Sequence, residues 1–480
     1  MTATARVVIG VDSSTQATKA LAVDVETGAV LGEGRAPHTV TGTGGARESD
    51  PEQWWQALRA ALAGTGHAGA AAAVSVAGQQ HGLVTLDAAG RAVRPAMLWN
   101  DVRSAPEARE LVARLGATEW ARRTGSVPTA AFTVAKWAWL TAHEPEAARA
   151  TAAVRLPHDY LTERLTGEAV TDRGDASGTG WWTADGYDQE ILAAVGLDPA
   201  LLPAVLPPGR PAGTATADGP LAPGTRVAIG TGDNMAAALG LGLGAGAGPT
   251  AGRPVLSLGT SGTVYAATRG RPADPTGTVA GFAHATDGWL PLACTLNCTQ
   301  AVDRIAALLG RDRGAVEPGG SVVVLPFLDG ERTPNLPEAT GLLHGLRHDT
   351  TAGQILQAAY DGAAHSLLTA LDDVLRAGGE PADPDAPILL IGGGAQGRAW
   401  RDTVRRLSGR AVQVPAGREL VALGAAAQAA ALLTGERPEE VARRWRTADG
   451  PLYEPVERDE AAVARLADTL TKAEPLLREK

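Results

Sequence analysis

One pattern occurs twice in this chain and limits what it can fold into. Val7-Val8-Ile9-Gly10-Val11 runs into Asp12-Ser13-Ser14-Thr15-Gln16 and then back into apolar Ala20–Val23. Past the middle, Val255-Leu256-Ser257-Leu258 runs into Gly259-Thr260-Ser261-Gly262 and back into Thr263-Val264-Tyr265. Each predicts a strand, a tight Gly/Ser/Thr turn and a second strand, with backbone N–H groups and hydroxyls exposed at the tip. Two readings are open at this level. The turns are either two unrelated surface turns, or paired phosphate-friendly hairpins that two domains offer to a shared cleft.

The rest of the chain alternates strands with helices, which predicts a mixed α/β class. Val74–Ala77, Val227–Ile229, Val322–Leu325 and Ile388–Ile391 are short apolar runs of strand type. Trp54–Leu62, Ala352–Leu375 and Gly397–Leu407 carry helical periodicity. A chain of 480 residues exceeds one ordinary core, so two large domains are expected. The Gly/Ala-rich stretch 240–252 is the expected linker and hinge, which divides the chain into 1–245 and 246–480.

Charge excludes some partners. The net charge is −10, so neither nucleic acid nor an anionic membrane has the basic footprint it needs. A phosphorylated ligand remains allowed, because a few amides and one cation hold it. Only four of the 43 basic residues are lysine and alanine is abundant, both read as compositional bias of the source genome. The run Val7–Val11 stops at Asp12, too early for a signal peptide, and no stretch approaches a membrane span. Cys294 and Cys298 have no Cys/His pair nearby to complete a metal site, which predicts two reduced thiols and a cytoplasmic location.

Single motifs leave the chemistry undecided. Gly392-Gly393-Gly394 after an apolar run can receive a nucleotide at a helix N-terminus, or can be a crowded turn. A Walker loop, a spaced dinucleotide fingerprint and a glycosidase carboxylate pair are all missing from the sequence. Asp233 follows a strand end and precedes a small-residue helix beginning at Asn234, a place for an N-cap or for a base facing a cleft. Gln79-Gln80-His81, after the strand Val74–Ala77, either orients a polyhydroxylated ligand or makes a turn.

Taken together, the motifs resemble a known family. Asp-Ser-Ser-Thr (12–15), Asp-Pro-Glu-Gln-Trp-Trp (50–55), Gly-Gln-Gln-His-Gly (78–82) and Leu-Trp-Asn-Asp-x-Arg (98–103) come in order. They are followed by Phe-Thr-Val-Ala-Lys-Trp-Ala-Trp-Leu (132–140), Leu-Pro-His-Asp-Tyr-Leu (156–161), Gly-Asp-Asn (232–234) and Leu-Ser-Leu-Gly-Thr-Ser-Gly (256–262). Pro-Phe-Leu-Asp-Gly-Glu-Arg-Thr-Pro (326–334) and the run from Gly341 to Asp361 complete the set. The chain resembles the FGGY carbohydrate kinases over roughly residues 6 to 430, in their xylulokinase-like form. Departures are Ser14, where the family usually has Gly, and Gln80, where Met is common; Ala131 and Ala142 stray from the first family signature.

The resemblance implies two actin/hexokinase-like (RNase-H-like) domains flanking a central cleft, sugar in the first and nucleotide in the second. It implies ATP and Mg²⁺ as cofactor and metal, a small sugar as substrate, and cytoplasmic phosphoryl transfer to D-xylulose. Asp12 would bind Mg²⁺. Thr15, Gln16, Lys19, Gly259 and Thr260 would face the phosphates, and Gly393 and Gly394 would receive the nucleotide. Gln80, His81, Trp99, Asp233 and Asn234 would hold the sugar, with Asp233 as general base. Ser14 would add a hydroxyl to the phosphate cradle. A homodimer is the expected assembly. Two other functions fit the same resemblance: an FGGY kinase for another ketose or polyol, and a non-catalytic actin-fold sugar sensor.

Overall fold

The structure is a computed structural model that describes residues 6–245, 252–379, 383 and 385–478. The first hairpin is present: β1 (Val7–Ser13) pairs antiparallel with β2 (Ala17–Asp24), in a register that sets Asp12 opposite Lys19. β3 (Val30–Pro37) extends the meander, and helix α1 (Pro51–Gly64) follows. That helix starts where the sequence allows. Asp50 caps the Glu52 N–H at 3.0 Å, and Pro51 takes the first-turn position where a missing N–H costs nothing. β4 (Ala71–Gly78) returns parallel to β1. After helix α2 (Pro157–Thr166), β5 (Pro211–Thr214), β6 (Arg226–Ala228) and β7 (Thr231–Gly232) complete a seven-stranded sheet. Its order is β5-β6-β4-β1-β2-β3, with β7 also on β4. Helix α3 (Asp233–Gly240) starts directly after β7.

A second seven-stranded sheet repeats this plan. The hairpin of β8 (Val255–Leu258) and β9 (Gly262–Tyr265) is extended by β10 (Ala280–Ala283) and β11 (Trp289–Thr295), and helices α4 (Thr299–Leu308) and α5 (Ala352–Ala377) follow. β12 (Ile388–Ile391) returns parallel to β8, then come helix α6 (Arg398–Ser408), β13 (Val412–Gln413), helix α7 (Leu420–Thr434) and β14 (Leu452–Tyr453). In both sheets an antiparallel hairpin therefore sits beside a parallel strand that arrives much later in the chain.

Strand periodicity assigns the two faces of the first sheet. Ile9, Val11, Val74 and Val76 face α1 and α2, packing on Trp54, Leu58, Leu62 and Leu161. Val8, Leu21, Val23 and Ala73 face the other way, onto Ala422, Ala426 and Ala430 of α7. The helix that covers this face therefore comes from the far end of the chain. It approaches with almost no spacing: a Cβ on Gly10 would lie 1.9 Å from the Ala422 carbonyl oxygen, and one on Gly424 1.8 Å from that of Ala236. On this helix the alanines have a packing role, because larger side chains would hold the backbones apart.

Part of the expected linker at 240–252 lies outside the described residues, at 246–251; of its first part, Leu241, Leu243 and Ala245 are buried and packed. Cys294 and Cys298 are free thiols, and burial pushes Cys298 up to about 12, which keeps it protonated and inert. Among the described residues no helix is long and apolar enough to cross a membrane.

Candidate active site

Residues of β1, β2, β8, β9 and β12 and the start of α3 border one cavity of 980 Å³. Asp12 and Lys19 of the first hairpin, Asp233 and Asn234 at the start of α3, Ser257 and Thr263 of the second hairpin, and Gly393 all line it. A strand-to-helix junction explains why Asp233 can face outward: Gly232 takes the N-cap position, so Asp233 is the first helical residue. Its Oδ1 accepts from the backbone N–H of Asn234 at 2.8 Å and from the Asn234 amide at 3.1 Å. The same Asn234 amide donates to Gln80 Oε1 at 2.8 Å, joining the ends of two parallel strands.

Electrostatics separate the two aspartates from ordinary surface acids. Burial pushes Asp233 up to about 6, against the opposing backbone hydrogen bonds. Asp12 is pushed up to about 7, chiefly by burial and then by the charge of Asp233, while Lys19 pulls it down. Asp12 is buried, and its Oδ1 has no hydrogen-bond partner. A buried carboxylate oxygen without a partner facing a cavity suits a hydrated divalent cation, which would supply the missing charge. Among the described residues no group of three His, Cys, Asp or Glu could hold a metal, so such an ion would rest on Asp12, water and ligand oxygens.

His81 is held in a left-handed backbone conformation with φ 65°. Its ring packs on Phe132 and Phe282 at centroid distances of 5.0 and 5.5 Å. Burial holds its pKa down at about 3, assisted by Lys136 and Arg332, so the ring is neutral. Nδ1 lies 2.7 Å from the Gly178 carbonyl. A carbonyl can only accept, so Nδ1 carries the proton and Nε2 is left as an acceptor. Gly178 has no room for a side chain: a Cβ there would stand 2.9 Å from this ring.

The other expected residues are spread around this centre. Trp99 is 41% exposed and its Nε1 donates to Thr15 Oγ1 at 3.1 Å, tying its loop to the first hairpin. Gln16 and Thr260 are exposed at the two hairpin tips, beside Gly259. Gly394 lies on the opposite side of its turn from Gly393 and lines a separate cavity of 590 Å³, with Asp312, Arg313 and Trp400. The hydroxyl expected of Ser14 is already used, donating to the Ala17 carbonyl at 2.9 Å and tightening the turn. Lys136 is buried and donates to the carbonyls of Ala130 and Ala131, a structural task.

Glu419 was invisible to the sequence reading. It pairs with Lys19 at 2.5 Å and lines the same cavity, at φ 56° immediately before α7. No motif marks it.

Comparison with known proteins decides the family. The family model for the FGGY N-terminal domain of carbohydrate kinases matches residues 7–240, and that for the C-terminal domain matches 255–433. The chain belongs to the FGGY family of carbohydrate kinases. Relatives of this FGGY kinase include a xylulose kinase of Streptomyces rubiginosus, 68% identical over 98% of this chain and 97% of that one. A xylulose kinase of Escherichia coli is 35% identical over 79% of this chain and 80% of its own length. Among solved structures, xylulose kinase from Bifidobacterium adolescentis superposes with a TM-score of 0.84 at 35% identity, covering 97% of this chain and 99% of that one. The two sheet-cored domains of this FGGY kinase are thus of the actin/hexokinase-like type expected of the family.

Proposed function

We propose that this FGGY kinase transfers the γ-phosphoryl group of ATP to the 5-hydroxyl of D-xylulose, with Asp233 as general base. The observation that carries the reading is Asp233 itself: a carboxylate at the head of α3, raised to about 6 by burial and tied through Asn234 to Gln80. A base poised near neutrality accepts a proton in the transition state and returns it afterwards. The xylulose kinases that are 68–69% identical to the chain support the substrate.

In this mechanism His81 Nε2 accepts from a sugar hydroxyl, Gln80 and Asn234 hold others, and Trp99 covers the carbon chain. Asp233 takes the proton of the attacking hydroxyl as its oxygen bonds to the γ-phosphorus. The bond to the bridging β–γ oxygen breaks and ADP leaves with that oxygen. Lys19, with the hairpin-tip amides and hydroxyls of Thr15, Gln16, Gly259 and Thr260, faces the phosphates, and Gly393 meets the nucleoside end, whereas Gly394, on the neighbouring cavity, is dropped from the expected set. Positioning of this kind dominates phosphoryl transfer, where the transition state is loose. Asp12 would hold Mg²⁺ through water; when bound, the ion neutralises charge developing on the phosphate oxygens.

The test is ADP release across D-xylulose, D-ribulose, L-xylulose, glycerol, D-fructose and xylitol. D-Xylulose is expected to give the highest kcat/KM. Glycerol or a hexose ahead of it by about tenfold would overturn the substrate.

A further inference from the structure

The segment Leu156–Leu161 matches a family motif but takes no part in the chemistry above. Its His158 is completely buried on α2, among three buried carboxylates. Nε2 stands 3.2 Å from Asp159 Oδ1, 3.5 Å from Asp172 Oδ1 and 3.4 Å from Asp175 Oδ2. The ring sits under the two strand ends that carry the sugar-side residues. A Cβ on Gly78, which precedes Gln79-Gln80-His81, would lie 3.0 Å from the His158 backbone nitrogen. One on Gly230, which precedes Thr231-Gly232-Asp233, would lie 2.9 Å from its Nδ1. Both glycines leave the space that this side chain fills.

Three links run outward from the cluster. Thr231 Oγ1 donates to Asp172 Oδ2 at 2.7 Å, two residues before Asp233. The Asp175 carbonyl accepts from the Gly178 N–H at 2.9 Å, and the Gly178 carbonyl in turn fixes His81 Nδ1. Asp175 Oδ1 and the Gln80 side chain both crowd Gly232: a Cβ there would lie 2.7 Å from Gln80 Cγ and 3.2 Å from that oxygen.

We infer that His158, clamped among Asp159, Asp172 and Asp175, is the positioning residue of the sugar site, fixing Asp233, His81 and Gln80 relative to one another. The inference rests on Asp233 being the base. Burial alone would discharge His158, and it raises Asp159 and Asp175 in turn, but the three neighbouring acids outweigh it and raise the His158 pKa to about 9, so the ring is the cation of the cluster and bridges α2 to the Asp172–Gly178 segment. A charge bridge in a dry interior breaks badly when one partner is removed, because the remaining charges are stranded. A small displacement of reacting groups then costs much of the rate.

The experiment compares Thr231→Val, His158→Gln and His158→Lys with the natural chain. It measures kcat, KM for D-xylulose and the calorimetric Kd for ADP. Thr231→Val cuts one link isosterically and is expected to lower kcat about tenfold and raise KM for the sugar, with the ADP Kd within about twofold. His158→Gln should lose more, and His158→Lys, long enough to reach the same carboxylates, should recover most of it. Folded Thr231→Val and His158→Gln with natural sugar kinetics would overturn the inference. So would losses in sugar kinetics and ADP affinity of equal size, which mark general loosening. If His158→Gln does not fold, Thr231→Val decides alone. An inactive Asp233→Asn beside a fully active Thr231→Val refutes the positioning role only, whereas an active Asp233→Asn refutes the base.

Discussion

Lys19 and Glu419, 400 positions apart in the chain, form an ion pair at 2.5 Å inside the cleft. Glu419 holds this position with a left-handed backbone, which non-glycine residues adopt at a cost and mostly at functional sites. Its carboxylate thus sits on the ammonium that the mechanism assigns to a phosphate. On that mechanism the nucleotide and Glu419 would compete for Lys19.

That competition has a sign. Glu419→Gln should tighten ADP binding by up to about fivefold, the size of a partly exposed ion pair. Lys19→Met should weaken it by about tenfold, through loss of a charge-assisted hydrogen bond. Calorimetry of ADP binding checks both; changes in the same direction would mean that the pair only braces the fold.

Asp233→Asn keeps the shape of the side chain and removes the proton acceptor. The expected loss in kcat is about 10²- to 10⁴-fold, with cooperative unfolding retained. In the natural protein kcat should fall as pH drops through about 6, because the base must be deprotonated. Stability runs the other way. The folded-state pKa lies above the ordinary aspartate value of 3.8, so the native state holds the proton more tightly, and its advantage is full below 3.8 and lost as pH rises through about 6. Asp233→Asn should therefore melt a few degrees higher than the natural chain at pH 8, with the gap closing near pH 4. Thermal scans at the two pH values test this.

His81→Ala removes an acceptor already oriented by Gly178. The expected effect is a loss in kcat/KM for D-xylulose of about 10²-fold or more, since a site built to pair with a hydroxyl depends on that pair. Hydrolysis of ATP without sugar should be unaffected. Equal losses in both activities would place His81 in the scaffold and not against the sugar.

Gly10→Ala and Gly424→Ala each drive a methyl group into backbone closer than 2 Å. Neither neighbour is a flexible side chain that can swing away. Each substitution should destabilise by about 1–3 kcal/mol or more, the range for overpacking, read as a drop in melting temperature.

Much of this was legible in the residues, for physical reasons. Val7–Val11 and Val255–Leu258 are apolar because both faces of their sheets are covered, and such runs read as strands. Asp233 was conspicuous because a strand, a Gly-Thr-Gly turn and a small-residue helix surround it. Its placement as the first helical residue, one after the cap, was not legible, since caps depend on backbone angles. Glu419 lies in a loop without periodicity, and its partner is at the other end of the chain. His158 was visible only as part of a motif; the three carboxylates around it come from two segments that are brought together by the fold.

The cover that α7 provides for β1 also has a consequence in time. Synthesis runs from N- to C-terminus, so the strand carrying Asp12 emerges about 400 residues before the helix that seals its Val8 face. Until Leu420–Thr434 appears, this face of the first sheet has little beyond Ala236 of α3, beside Ala77, to rest on. Contacts of such long separation are slow to close and leave apolar strands open to wrong partners. Truncation anywhere before residue 434 would prolong that exposure indefinitely, leaving even the half of the protein that was already made without its final layer.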